Sequence, residues 1–205
     1  HEPRALVDVV VKIGGSLIAH PEHLTAVLAI VHEAARRTKL VIVPGGGPFA
    51  DVVRDVDRAL GLSDDAAHWM AVLGMEQCAH LITSRLEGGV LVSDPDGIRR
   101  ALDLAHVPVL APSRWLQETD PLPHSWDVTS DSIAAWVAGM TGARRLVLVK
   151  APGAGPSNLV DAYFDQVRAL NIETVIVTAD DVAGLRTALR NPTWSPDAGS
   201  DPPTI

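Results

Sequence analysis

The chain has 205 residues, of which 47% are hydrophobic and 20% are charged, a composition typical of one globular domain with a full-sized core. Its net charge of −8 argues against a nucleic-acid-binding surface, and no apolar run approaches the length of a membrane span. The single cysteine, Cys78, excludes a disulfide framework within the chain and fits a reducing cytoplasm.

The first predicted strand, residues 9–13, is an apolar and mostly β-branched run that contains a single cation, Lys12. Such a run indicates a strand buried on both faces, as in a parallel sheet. Gly14, Gly15 and Ser16 follow it directly. Glycines let a backbone approach a ligand closely, and an ammonium beside a hydroxyl suits a phosphoryl oxygen. The pattern predicts an anion site at this strand end; the alternative is a glycine turn that only ends the strand.

The second predicted strand, residues 39–43, is followed by a triple-glycine segment, Gly45, Gly46 and Gly47. Three consecutive glycines lose much chain entropy on folding, which favours a backbone that must come close to something. A helix that begins near Pro48 would direct its free N–H groups and its positive dipole end to the same place. Because the carboxyl ends of parallel strands share one edge of a sheet, we expect both glycine loops to form one anion site.

The helices predicted around these strands complete a repeating β-α pattern. Residues 21–37 form an amphipathic helix, and the helix after the triple glycine extends to about Leu60. This βαβα order favours a parallel sheet with covering helices. A longer helix begins after Ser63 with an acidic first turn and is apolar on more than one face. Such a helix belongs to the core, and its surplus apolar surface can also serve as a subunit interface.

The middle of the chain combines weak strands with a proline-stiffened loop of the kind that carries recognition in α/β enzymes. Strands are predicted at residues 90–92 and 107–110, and Pro108 indicates an edge position or an irregular strand. A cation, an imidazole and two aromatic faces in this region would suit a phosphorylated aromatic ligand: Arg114, Trp115, His124 and Trp126. For Trp115 the alternative is a core anchor.

Two acidic residues, Asp127 and Asp131, stand four positions apart around a predicted helix start, with Thr129 or Ser130 as its cap. Acidic residues at a helix N-terminus are stabilised by the helix dipole whatever the function of the protein. The pattern alone therefore leaves their functional role open.

The next predicted strand, residues 145–150, ends in Lys150 before a Pro-Gly turn. Only three of the 17 basic residues are lysines, and two of them, Lys12 and Lys150, stand at predicted strand ends. In an otherwise arginine-rich chain, this usage indicates that a small flexible ammonium is needed at those positions.

The rest of the chain is predicted to complete one domain. A last strand covers residues 174–178 and a last helix residues 180–189. We therefore assign residues 1–190 to a single domain, and residues 191–205 to a proline-rich mobile tail.

Three blocks of the sequence together resemble the amino-acid-kinase family, which includes N-acetylglutamate, uridylate and isopentenyl phosphate kinases. They are Lys12-Ile13-Gly14-Gly15-Ser16, Pro44-Gly45-Gly46-Gly47, and the segment 126–135 that opens a helix of small residues around Asp131. The blocks occur in the order that the family has, and the resemblance extends over about residues 5–190. Within the family, the sequence around Trp126 is most similar to the (aminomethyl)furanyl-methyl phosphate kinases of methanofuran-type cofactor biosynthesis.

The resemblance implies a three-layer α/β/α sandwich around a mainly parallel sheet, and a transfer of the ATP γ-phosphoryl group, with Mg²⁺, to the phosphate of a small acceptor. Lys12 would neutralise the transferring oxygens, Lys150 would assist, and Asp131 would orient the lysines rather than act as a base. The glycine loops, Arg114, His124, Trp126 and Asp127 would bind phosphate or acceptor, and no residue is assigned as a metal ligand. The family also implies a homo-oligomer, and a partner enzyme of the same pathway is a further possibility.

The sequence departs from its relatives after the strand at 145–150. Uridylate-kinase-like members usually have a Thr-Asp-x-Asp-Gly element there, whereas this chain has Lys150-Ala151-Pro152-Gly153 and no later lysine. We therefore predict an abbreviated nucleotide half. Two alternatives stay open: a catalytically weakened binding or partner subunit of the same fold, and a kinase of a small carboxylate.

Overall fold

A computed structural model describes residues 5–154 and 160–192. Six parallel strands form one sheet in the order β3-β4-β2-β1-β5-β6. The strands are β1 (Val9–Ile13), β2 (Leu40–Pro44), β3 (Gly89–Val92), β4 (Val107–Leu110), β5 (Arg145–Lys150) and β6 (Glu173–Thr178). The helices are α1 (Pro21–Ala35), α2 (Gly47–Leu60), α3 (Asp64–Arg85), α4 (Pro95–Asp103), α5 (Ser113–Thr119), α6 (Ser130–Thr141), α7 (Phe164–Val167) and α8 (Val182–Ala188), with a 3₁₀ turn at Gly15–Ala19.

Strand β1 lies at the centre of the sheet, which explains its uninterrupted apolar sequence. All five of its residues are buried, and it pairs with β2 on one side and with β5 on the other. The chain runs from β1 toward β2, β3 and β4, and then returns across β1 to form β5 and β6. In open α/β sheets a ligand crevice forms at the carboxyl ends of the strands where the winding direction changes. This topology therefore places the loops after β1, β2 and β5 around one crevice.

The two faces of the sheet carry separate hydrophobic cores. Val10 faces one core, with residues of α4, α5 and α6, whereas Val9 and Val11 face the other, with residues of α1 and α8. Helix α3 contributes to both, through Val72 on one side and Ile82 on the other. The predicted three-layer α/β/α sandwich around a parallel sheet is confirmed.

Strand β4 departs from one of the sequence predictions. It lies between β3 and β2, so the edge position inferred from Pro108 is wrong. Its ladder to β3 has four residue pairs, but its ladder to β2 is reduced to Ile42↔Val109. A proline cannot donate a ladder hydrogen bond, and the shortened pairing fits the alternative of an irregular strand.

Trp115 is a core residue. It is 4% exposed and packs against Trp136 with ring centroids 4.6 Å apart, so the core-anchor alternative describes it.

No helix within the described ranges is both long and apolar enough to cross a membrane. Of the tail assigned to residues 191–205, positions 193–205 lie outside the described residues.

Candidate active site

The two glycine loops pack directly against each other, backbone to backbone. A Cβ atom on Gly15 would lie 2.0 Å from the nitrogen of Gly47, and one on Gly45 would lie 2.4 Å from the nitrogen of Gly15. Gly47 also has a positive φ of 53°. The glycines at these positions are therefore required by the approach of the loops, which brings the first turn of α2 and the 3₁₀ turn to one crevice. The first N–H groups of a helix have no intrahelical acceptor and can bind an anion.

Not every N–H group of the loops is available to a ligand. Gly14 donates its N–H to the carbonyl of Val149 at 2.9 Å, and Gly45 donates to the carbonyl of Ile13 at 2.8 Å. These two residues hold the strand ends together. The N–H donors that remain for an anion are therefore those around Gly15, Ser16 and the start of α2.

Gly46 has a structural role in the triple glycine, because it packs against helix α2. Its φ of −78° is accessible to any residue, but a Cβ atom would lie 2.4 Å from the Cβ of Ala50. We expect Gly46→Ala to destabilise the protein by about 1–3 kcal/mol through this overpacking, which is a drop of roughly 2–4 °C in Tm per kcal/mol for a chain of this size. The measurement is thermal unfolding. Gly139→Ala is the matched control, because a Cβ there meets nothing within 4 Å and the site lies in helix α6. An unchanged Tm for Gly46→Ala would contradict the packing argument.

Three charged side chains predicted from separate parts of the sequence meet in the crevice. Lys12 Nζ lies 2.9 Å from Asp131 Oδ1, and Lys150 Nζ donates to Asp131 Oδ2 at 2.7 Å. Lys12 comes from the central strand, Lys150 from the end of β5, and Asp131 from the first turn of α6. Lys12 and Asp131 are each only 5% exposed. The Lys12 contact is an ion pair that does not have hydrogen-bond geometry, since Asp131 Oδ1 has no hydrogen-bond partner within the described ranges.

The electrostatics of this triad favour an anionic ligand. Burial acts to raise the pKa of Asp131, but the charges of Lys12 and Lys150 outweigh it and hold that pKa below its ordinary value. Burial, and then the charge of Lys12, lower the pKa of Lys150 although Asp131 opposes them. Asp131 thus stays ionised and suits an orienting role. Lys12 and Lys150 share the carboxylate of Asp131, with the charge of Asp161 also acting on Lys150, and the two ammonium groups can still pair with an approaching phosphoryl group.

Asp161 fixes the helix start that presents Asp131. Its carboxylate accepts hydrogen bonds from the backbone N–H of Thr129 at 2.9 Å and of Ser132 at 3.0 Å, and from the hydroxyl groups of both residues. Thr129 is the N-cap residue, as one of the two predicted alternatives, but its hydroxyl binds Asp161 and does not cap the helix. The carboxylate that caps α6 therefore comes from about 30 residues later in the chain.

A cavity of about 230 Å³ opens beside the glycine loops. Its apolar wall consists of Ala50, Ala67, Ala71, Val72, Met75 and Ile133, and its polar lining includes Ser16, Asp51, Arg54, Asp64, His68, Trp126, Thr129 and Ser130. Gly15, Gly46 and Gly47 also line it, so the cavity reaches the crevice of the glycine loops. A mostly apolar cleft with a few converging polar groups is typical of a small-molecule site.

The proline-rich loop covers this cavity and is held by two anchors. Trp126 lines the cavity, donates its indole N–H to Asp57 at 2.8 Å, and carries the Arg54 guanidinium 4.9 Å above its ring centroid. His124 does not line the cavity. His124 contacts Asp65 at 2.6 Å and Asp120 at 2.9 Å. The hydrogen bond with Asp65 is the largest cause that raises the pKa of His124, and Asp120 adds to it, although burial opposes them.

Of the residues predicted to bind phosphate or acceptor, Arg114 and Asp127 lie outside the cavity lining, as do His124, Gly14 and Gly45. Arg114 is exposed, and its guanidinium pairs with Glu118 at 3.0 Å and with Asp94 at 3.4 Å. Asp127 is exposed as well, and its carbonyl accepts a hydrogen bond from the backbone N–H of Tyr163 at 3.1 Å. The positions of Arg114 and Asp127 outside the cavity do not favour a binding role, which stays a prediction for both residues.

The resemblance also implies Mg²⁺, which prefers oxygen ligands in an octahedral arrangement. Across residues 5–154 and 160–192, no three His, Cys, Asp or Glu side chains converge as a metal site. The carboxylates of Asp131 and Asp161 are already used, the first by two lysines and the second by the start of α6. These residues do not fit a protein-built magnesium site, so the metal would have to arrive on the phosphates of a nucleotide.

Comparisons relate the chain to known proteins. Residues 9–151 match the model of the amino acid kinase family. The [5-(aminomethyl)furan-3-yl]methyl phosphate kinase of Methanocaldococcus jannaschii is 31% identical over 180 residues, which cover 86% of this chain and 76% of that protein. Among solved structures, uridylate kinase from Archaeoglobus fulgidus superimposes with a TM-score of 0.67 at 16% identity, covering 89% of this chain and 95% of that chain. The last likeness concerns the fold alone.

Proposed function

The chain belongs to the amino acid kinase family and is an ATP-dependent small-molecule kinase, and we propose that it moves the γ-phosphoryl group of ATP to the phosphate of a small acceptor, giving a diphosphate. The acceptor that we propose is a phosphate ester of a furan-type cofactor precursor, by analogy with the activity for which the Methanocaldococcus jannaschii relative is named.

The observation that carries the proposal is the buried triad of Lys12, Asp131 and Lys150, which lies outside the cavity lining but beside the glycine loops that reach the cavity. Phosphoryl transfer needs charge compensation and alignment more than proton abstraction. Lys12 and Lys150 can neutralise the oxygens of the transferring group, and Asp131 fixes the distance between the two ammonium groups. A phosphate acceptor is already an anion, so the reaction requires no general base, and the triad contains none.

The proposed transfer needs no reactant besides ATP and the acceptor. An oxygen of the acceptor phosphate attacks the γ-phosphorus of ATP, and the bond between that phosphorus and the β,γ-bridging oxygen breaks. ADP leaves with the electron pair of that bond. Mg²⁺ on the nucleotide phosphates would supply additional charge neutralisation. The protein holds the acceptor in the cavity beside Gly15, Ser16 and the start of α2, where free N–H groups face its phosphate.

A second candidate function, a binding or partner subunit with weakened catalysis, is favoured by one observation. After β5 the chain has Ala151-Pro152-Gly153 where relatives have acidic nucleotide contacts, and the described part beyond it contains one strand and two short helices. A missing charge-assisted hydrogen bond weakens binding by roughly 1.5–3 kcal/mol, about one to two powers of ten in affinity. Lys150 opposes this loss because it can pair with a phosphate.

We expect ADP release when the purified protein is mixed with ATP, Mg²⁺ and [5-(aminomethyl)furan-3-yl]methyl phosphate, and a diphosphate product by phosphorus NMR. N-acetylglutamate serves as the carboxylate comparison and should give no ADP above the background without acceptor. ADP release with the carboxylate alone would replace the proposed acceptor class. No ATP binding by calorimetry under conditions where the protein is folded, together with no ADP release from any acceptor, would favour the partner-subunit function.

A further inference from the structure

The two ends of the cavity differ in charge. Beside the glycine loops, just outside the cavity lining, Lys12 and Lys150 share the carboxylate of Asp131. Where α2 ends and α3 begins, carboxylates outnumber cations: Asp57, Asp64, Asp65 and Asp120 stand against Arg54 and His124. Of these residues, Asp64 and Arg54 line the cavity. Arg54 donates to Asp51 at 2.8 Å and stacks on Trp126, so its charge is already paired. Asp64 lines the cavity and makes no ion pair with any residue of the described ranges.

His68 is the buried polar side chain of this end. It is 9% exposed, lines the cavity, and makes no hydrogen bond with the residues that the structure describes. Its ring stacks on His124 at a centroid distance of 4.1 Å and an interplanar angle of 14°. Burial, and then the charge of His124, lower the pKa of His68 to about 4, so the imidazole is neutral at pH 7. The ring nitrogens of His68 are not fully buried, so water or a ligand in the cavity can reach them.

We propose that Asp64 and His68 form an ammonium subsite, which selects phosphate acceptors that carry a primary amine at the end remote from the phosphate. The inference deepens the proposed function, since it uses the same cavity as the acceptor site. The Asp64 carboxylate supplies a charge-assisted acceptor and the neutral His68 nitrogen supplies a second acceptor, which suits a donor-only ammonium group.

The charge and the volume of the cavity restrict which acceptors it can hold. Asp64 and the neighbouring carboxylates would repel a second phosphate or a carboxylate at this end, so specificity rests on repulsion as well as attraction. A cavity of about 230 Å³ suits one small ring with short substituents at either end. An acceptor with a phosphate on one side and an ammonium on the other therefore matches both the size and the field of the cavity.

Calorimetric titration of two acceptors tests the subsite without relying on turnover. The probes are [5-(aminomethyl)furan-3-yl]methyl phosphate and the same molecule with a hydroxymethyl group in place of the aminomethyl group. We expect the wild type to bind the amine at least tenfold more tightly, and Asp64→Asn to reduce that preference to within about threefold. Asp64 is exposed on the first turn of α3, so the variant is expected to fold. Asp55→Asn, an exposed α2 position outside the cavity lining, is the control and should keep the wild-type preference.

A second variant, His68→Gln, keeps a neutral acceptor at the position and should weaken binding of the amine more than binding of the hydroxymethyl compound. Equal affinity of the wild type for both probes, or an unchanged preference in Asp64→Asn, would overturn the ammonium subsite. Failure of the proposed function has a different signature. In that case the amine would bind with the expected Asp64 dependence, but no ADP would be released.

Discussion

Replacing Lys12 with alanine should lower kcat by about 10²–10³, which is the typical loss on removing one preorganised group that stabilises transition-state charge. The fold should tolerate the change. Without Lys12, Asp131 still pairs with Lys150 at 2.7 Å, and the excess positive charge of the triad disappears. We therefore expect the Tm to change by only a few degrees. The measurements are ADP release under saturating substrates and thermal unfolding.

Lys39 provides the matched control for this substitution. It is an exposed lysine just before β2, at the end of the strand remote from the crevice, so Lys39→Ala should keep wild-type turnover. Lys12→Arg should recover little activity, because a planar guanidinium does not replace a compact ammonium in a buried position next to Gly14. Near-wild-type kcat in Lys12→Ala would show that the lysine serves the buried charge balance only.

The fold and the triad could be predicted because their signals are local. An apolar run marks the central strand, glycines mark the loops after β1 and β2, and lysines at strand ends mark the crevice. Parallel strands bring their carboxyl ends together, so the meeting of Lys12 and Lys150 follows from topology. The role of Asp131 comes from the family resemblance, because an acidic residue at a helix start has no functional meaning by itself. The predicted homo-oligomer, partner enzyme and cytoplasmic location stay predictions, because the structure of a single chain does not test them.

Other features depend on contacts that no local pattern encodes. The capping of α6 by Asp161 joins residues about 30 positions apart, and no helical or strand period relates them. His68 belongs to an apolar helix, where a histidine is usually a packed residue, and only its place in the cavity lining points to the role that we propose for it. Arg114 has the right chemistry for a phosphate, but its neighbours Glu118 and Asp94 satisfy it outside the cavity.

Replacing Asp161 with alanine should damage both stability and catalysis, because its carboxylate accepts from two N–H groups and two hydroxyl groups at the start of α6. We expect a loss of about 2–4 kcal/mol in the free energy of unfolding, since bonds to a charged acceptor are worth more than neutral ones and are not additive. The loosened helix start would also displace Asp131 from Lys12 and Lys150. A misplacement of about 1 Å at a reacting site can cost roughly 10² in rate.

The two effects of Asp161→Ala are separated by measuring kcat well below the lowered Tm, where circular dichroism shows a fully folded protein. A positioning role predicts that kcat stays reduced by about 10² there, whereas the KM for the acceptor changes much less. Asp161→Glu should restore part of kcat, because it keeps the charge that Thr129 and Ser132 bind. The control is Asp165→Ala, which should keep wild-type kcat and Tm. Asp165 is an exposed residue of the same segment, and in the described part of the chain its one ion pair is with Arg168 at 3.4 Å. If Asp161→Ala regains wild-type kcat once folded, the residue stabilises α6 without positioning Asp131.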